Sequence, residues 1–128
     1  MKKVIIVVGI VLVAAGLTFW LTGDQEQNGT ENELTGEVKE FEIKGGNYYF
    51  TTDEMRVNKG DVVRVTFSSE DGFHDFVLDE FNVATQRYRP DEGEETVEFV
   101  ADKTGEFEYY CSVGDHREKG QVGKLIVE

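Results

Sequence analysis

The chain holds a single cysteine and two histidines, and their spacing invites one explanation. Cys111 and His116 are five residues apart in Cys111-Ser112-Val113-Gly114-Asp115-His116, and Gln121 stands five residues beyond. His74 lies upstream, in Gly72-Phe73-His74-Asp75-Phe76. Two imidazoles and one thiolate, with a weak fourth donor, are what a trigonal mononuclear copper centre takes. Such a set suits neither Cu(I) nor Cu(II) fully, which keeps reorganisation small when an electron moves. Taken singly, each residue has an ordinary explanation. A lone histidine in a strand is usually a surface or satisfied core residue, a lone buried cysteine is a small core residue, and a glutamine between glycines is a turn residue. Their order and spacing together carry the metal reading. Counting also excludes alternatives: a binuclear copper site needs a second cysteine, and a second copper centre needs further histidines.

The elements that must position these residues read as β. The segment 38–43, Val-Lys-Glu-Phe-Glu-Ile, alternates apolar and charged residues as a half-buried strand does. The pieces 48–50 and 55–57 are short and β-prone, and Asn58-Lys59-Gly60-Asp61 is a turn. Alternation returns at 61–68, with Val63, Val65 and Phe67 on one face. Further strands are expected at 73–78, 96–100, 106–111 and 123–128, the last two flanking the Cys111–Gln121 loop. Seven or eight short strands with regular turn signals predict an all-β sandwich. The stretch 81–95 lacks periodicity and contains the only proline, Pro90, so it is expected to be a loop crossing between sheets with one helical turn. Gly114, Gly120 and Gly123 permit the tight reversal that would turn Cys111, His116 and Gln121 toward one point.

The N-terminal part is of a different kind. Lys2 and Lys3 precede an 18-residue apolar run, 4–21, long enough to span a bilayer as a helix. The run has no small-x-small cleavage site, and Trp20 suits an interfacial anchor. The expectation is an N-terminal membrane anchor or signal at 1–23, a flexible polar linker at 24–33 and one domain at 34–128, lying on the extracytoplasmic side. A lone cysteine in an exported chain leaves no internal disulfide, and a metal explains the unpaired thiol. The net charge of −13 disfavours nucleic acid and anionic membrane surfaces and suits a basic partner, although it also serves plain solubility.

The motifs Asn58-Lys-Gly-Asp-Val-Val, Asp71-Gly-Phe-His-Asp-Phe and Tyr109-Tyr-Cys-Ser-Val-Gly-Asp-His, continuing through Gly120-Gln-Val-Gly-Lys-Leu-Ile-Val, resemble those of the cupredoxins, the plastocyanin and azurin family. The resemblance runs from about Val38 to Glu128. It implies a Greek-key β-sandwich and one copper, cycling between Cu(I) and Cu(II), with His74, Cys111 and His116 as equatorial ligands. Methionine commonly occupies the position of Gln121 in the family. Stellacyanin-like members place glutamine there as the axial ligand, and the Phe73 carbonyl is the substitute donor. The resemblance further implies that the Asp75 backbone N–H donates to the Cys111 sulfur and that the Asp75 side chain meets Ser112. Relatives often have asparagine at the position of Asp75, and a carboxylate there would add negative charge near the metal.

The function implied is single-electron transfer between redox partner proteins by a monomer, without enzymatic turnover. His116 would form the exposed exit path, ringed by Val113, Gly114 and Val122. Copper delivery or storage is the alternative. Traffickers use methionine- or cysteine-rich surfaces, and this chain has two methionines and one cysteine. A mononuclear catalytic centre would require an open position, hence a Gln121 that does not bind.

Overall fold

The computed structural model describes residues 36–128. The N-terminal helix and the linker expected from the sequence lie outside the described residues. Nine strands form two sheets: β1 Val38–Gly46, β2 Tyr49–Phe50, β3 Glu54–Val57, β4 Val62–Ser69, β5 Val77–Leu78, β6 Val83–Ala84, β7 Glu94–Val100, β8 Gly105–Tyr110 and β9 Val122–Val127. One sheet runs β2-β1-β4-β7, the other β3-β9-β8-β5-β6. Both are mixed, with β1 parallel to β4 and β3 parallel to β9.

The alternation read from the sequence decides which side chains face the middle. In β4, Val63, Val65 and Phe67 are fully buried while Arg64 is exposed. Phe76, just before β5, and Leu78, Tyr109, Leu125 and Val127 of the other sheet pack toward them in one core. Phe50 ties the sheets together, with its ring edge-on to Phe67 and Phe76 and tilted against Tyr109. Burying each such ring removes enough apolar area from water to contribute about 2–3 kcal/mol.

Three local expectations are corrected. The strand count among the described residues is nine, because β6, two residues long at Val83–Ala84, carries too few positions to show a period. The segment read as a strand at 73–78 pairs only at Val77–Leu78, and His74 makes an isolated bridge to Tyr88. Gly72, at a φ of +87°, turns the chain there and interrupts the ladder. The stretch 81–95 has the expected helical turn at its start, a 3-10 turn at Asp79–Phe81, but is not otherwise a plain loop: β6 follows, β7 begins at Glu94, and Tyr88 bonds back to His74 through both backbone groups, at 3.0 and 2.8 Å.

The register of β8 on β9 builds the foundation of the site. Tyr109 sits opposite Gly123, and a Cβ at Gly123 would lie 2.1 Å from the Tyr109 ring. Only glycine lets the ring cross there, and its hydroxyl then donates to the Thr52 carbonyl at 2.7 Å. The asparagine turn is closed by the buried Asp61, whose carboxylate accepts from the backbone N–H of Asn58 at 2.8 Å and of Glu37 at 3.0 Å.

Candidate metal centre

Cys111 follows the last residue of β8, and its N–H still donates to the Gln121 carbonyl at 3.2 Å. The alternation that buries Tyr109 buries Cys111 as well. Residues 112–121 then fold back through a chain of short turns: the His116 N–H donates to Val113, and the Gln121 N–H to His116, each at 3.0 Å. Gly114 and Gly120, at φ +49° and +106°, supply the left-handed corners. The single pairing of Val77 with Tyr110 lays the strand that follows His74 beside β8.

His74, Cys111 and His116 thereby converge. Their ligand atoms all lie within 4.8 Å of one another. The Cys111 Sγ is 3.7 Å from His74 Nδ1 and 3.6 Å from His116 Nδ1, and the two rings have centroids 5.0 Å apart. Bonds of about 2.3 Å to sulfur and about 2.0 Å to nitrogen, at trigonal angles, would separate the sulfur from each nitrogen by about 3.7 Å. Both sulfur–nitrogen separations therefore match a metal in a trigonal setting.

Each donor is oriented by a neighbour. His74 Nε2 lies 2.6 Å from the Asp71 carbonyl, which accepts only if that nitrogen carries the proton. The Nδ1 lone pair is left facing the sulfur, the arrangement by which metal-bound histidines are ordinarily fixed. At Gly72 a Cβ would come within 2.8 Å of His74 Nε2, so glycine is required beside the ring. Burial, with His74 alongside, pushes the His116 imidazole below its ordinary value and favours its neutral, ligating form.

Burial pushes the Cys111 thiol up, while the backbone N–H groups of Asp75 and Val113 pull it back by donating toward the sulfur. A metal cation would complete the stabilisation of the thiolate by displacing the proton.

Gln121 is fully buried, and its Nε2 donates to the Tyr49 carbonyl at 3.1 Å. That bond fixes which end of the amide is which. The Oε1 is the one buried side-chain polar atom without a partner among the described residues. A buried acceptor left unpaired costs about 1–3 kcal/mol. A metal nearby would give this oxygen the partner that the protein withholds. The amide and His74 are neighbours, since a Cβ at Gly45 would touch both, at 3.2 Å from Gln121 Nε2 and 2.9 Å from His74 Cβ.

The Asp75 carboxylate is buried and accepts from the Ser112 N–H at 2.7 Å and from the Ser112 hydroxyl. Arg87, which sequence reasoning passed over, places its Nε 3.7 Å from Asp75 Oδ2 and offsets the charge. Phe73 lies at the surface edge of the same segment under the Arg89 guanidinium, 4.3 Å from the ring centre. Tyr48 was also missed, and its ring packs on His116 with centroids 4.7 Å apart.

No protein-family model matches the chain, and no curated protein matches it. Solved structures do. Auracyanin A, a "blue" copper protein from Chloroflexus aurantiacus, superposes with a TM-score of 0.58 at 22% identity, over 71% of this chain and 99% of that one. The fold is that of the cupredoxins. The periplasmic domain of cytochrome oxidase subunit II from Bradyrhizobium japonicum gives 0.59 at 22%, over 70% of this chain and 83% of its own. A blue copper oxidase from Nitrosomonas europaea gives 0.60 at 20%, over 71% of this chain but 39% of the oxidase. At these identities the likeness is one of fold, and the cupredoxin fold serves enzymes as well as carriers.

Proposed function

We propose that residues 34–128 form a type 1 copper domain that carries single electrons between redox partners. In this reading residues 24–33 are a tether and residues 1–23 a membrane anchor, so the domain works as a monomer on the extracytoplasmic side. The convergence of His74 Nδ1, Cys111 Sγ and His116 Nδ1 supports it most directly. Bound copper would supply one-electron exchange between Cu(I) and Cu(II).

The chain's own residues do the rest. His74, Cys111 and His116 would hold the metal, and Gln121 Oε1 would offer it a fourth donor. Asp71 holds the His74 proton away from the metal. The N–H groups of Asp75 and Val113 steady the thiolate, and the Asp75–Ser112 bonds lock the chain on either side of it. His74, Cys111 and Gln121 are fully buried, which leaves the half-buried His116 as the one side that water and exchangeable ligands can approach. That burial favours a carrier over a copper-delivery protein, which must release its metal, and filling the fourth position leaves none open for a substrate. The acidic surface suits a basic redox partner. The fold shared with a cytochrome oxidase subunit fits a partner in a respiratory chain.

The test is a copper titration of the full-length chain in detergent. The expected result is one copper per chain and an intense absorption near ~600 nm from the thiolate-bound trigonal site. Cys111→Ser abolishes the colour. A coloured serine variant, or a wild type that takes zinc and refuses copper, overturns the assignment.

A further inference from the structure

The hairpin joining β1 to β2 reaches the metal centre at two places. The Tyr49 carbonyl accepts from Gln121, and the Tyr48 ring packs on His116. The residues of this hairpin approach closely because Gly45 and Gly46 carry no side chains. A Cβ at Gly46 would sit 2.2 Å from the Tyr49 ring, and one at Gly45 would strike His74. Tyr48 is itself held by a second neighbour. Lys119, three residues beyond His116, places its Nζ 4.5 Å from the Tyr48 ring centre and 3.4 Å from the hydroxyl. Asp115, one residue before His116, pairs with the same ammonium at 3.4 Å. His116, Tyr48 and Lys119 thus form a stack. The outermost ring is the tyrosine, which is 37% exposed, while the imidazole is half-buried beneath it.

From this stack, and resting on the copper reading above, we propose that Tyr48 is a positioning residue that clamps His116 in its ligating orientation and screens it from small anions. His74 has a hydrogen bond to fix its ring. Among the described residues, the His116 ring makes no hydrogen bond except its contact with Cys111, so an aromatic face must do that work. Contact of this kind between rings stabilises by the offset and tilted geometries that aromatic pairs prefer. The ring, rather than the hydroxyl, carries the role, because the hydroxyl faces Lys119.

Two measurements on the full-length chain test the clamp. In the metal-free protein, the His116 imidazole resonances of wild type and Tyr48→Phe should show one sharp conformer. In Tyr48→Ala and Tyr48→Leu they broaden or split, while those of His74 stay unchanged and report an intact fold. In the copper-loaded protein, azide is the probe. Wild type and Tyr48→Phe resist it, and Tyr48→Ala binds it at least tenfold more tightly. If both variants lacking the ring keep a single His116 conformer and the azide resistance of wild type, the clamp is wrong. If wild type fails to develop the thiolate absorption with copper, the copper reading fails, and the metal-free resonances still decide the clamp.

Discussion

His74 and His116 face the same sulfur from supports of different kinds. His74 is fully buried, bonded through its ring to Asp71 and through its backbone to Tyr88, in a segment locked by Asp75 to Ser112. His116 sits on the turns of 112–121, half-buried, with an aromatic ring against it. One side of the site is part of the core, and the other is a loop laid over it. A metal centre that exchanges electrons needs both. In the proposed copper reading, the buried side would keep the geometry constant through oxidation and reduction, and the loop side would bring one ligand within reach of a partner.

The comparison breaks most visibly in the metal-free protein. His74→Ala should lower unfolding stability by about 2–4 kcal/mol, since it empties a buried volume and strands the Asp71 carbonyl. His116→Ala should cost less, about 0.5–1.5 kcal/mol, because it removes only a half-buried ring and its contact with Tyr48. Urea unfolding of the two variants measures both. Equal losses would mean that the loop is as much a part of the core as the His74 segment.

The next effect sharpens the boundary between the two sides, where Gln121 stands. An amide oxygen is harder than a thioether sulfur and favours Cu(II) over Cu(I). A preference of roughly 2–4 kcal/mol, at the upper end for polar contacts, corresponds to roughly 100–200 mV. Gln121→Met should therefore raise the reduction potential by about that amount in voltammetry. An unchanged potential and spectrum would place Oε1 away from the copper.

A smaller shift is expected on the buried side. Arg87 is half exposed, so its effect on Asp75 is screened. Arg87→Gln leaves the Asp75 carboxylate with only Ser112 as donor and adds unbalanced negative charge near Cys111. The potential should fall by roughly 20–60 mV, on the scale of about 1 kcal/mol. No change would mean that solvent already compensates the carboxylate.

The smallest effect lies farthest from the metal. The backbone N–H of Asn58, with Lys39 beyond, holds the Asp61 carboxyl below the usual carboxylate range. Its folded value is lower than its unfolded one, so its contribution is fully present above the unfolded value. It disappears as pH falls through the folded one. Asp61→Asn should lower the melting temperature at pH 7, and the difference from wild type should shrink below about pH 4. A difference independent of pH would assign the effect to lost packing.

Much of this was legible in the sequence because it is local. Alternation placed Val63, Val65, Phe67 and Tyr109 inward, and the five-residue spacings put Cys111, His116 and Gln121 on one loop. What was not legible comes from chain distant in sequence. Tyr48 lies 68 residues before His116, and nothing in its neighbourhood except Gly45-Gly46 signals a close approach. Arg87 falls in the aperiodic stretch 81–95, where backbone bonds to His74 rather than a repeating face decide the conformation. The break at His74 was hidden for the same reason: the run 73–78 reads as a strand, and the backbone bonds that take His74 to Tyr88 instead come from distant chain.

X-ray absorption at the copper edge of the loaded, oxidised protein tests the central claim most directly. The account predicts one sulfur at about 2.2–2.3 Å and two imidazole nitrogens at about 2.0 Å, with any oxygen farther out. A shell of nitrogen and oxygen alone, with no sulfur, would contradict it.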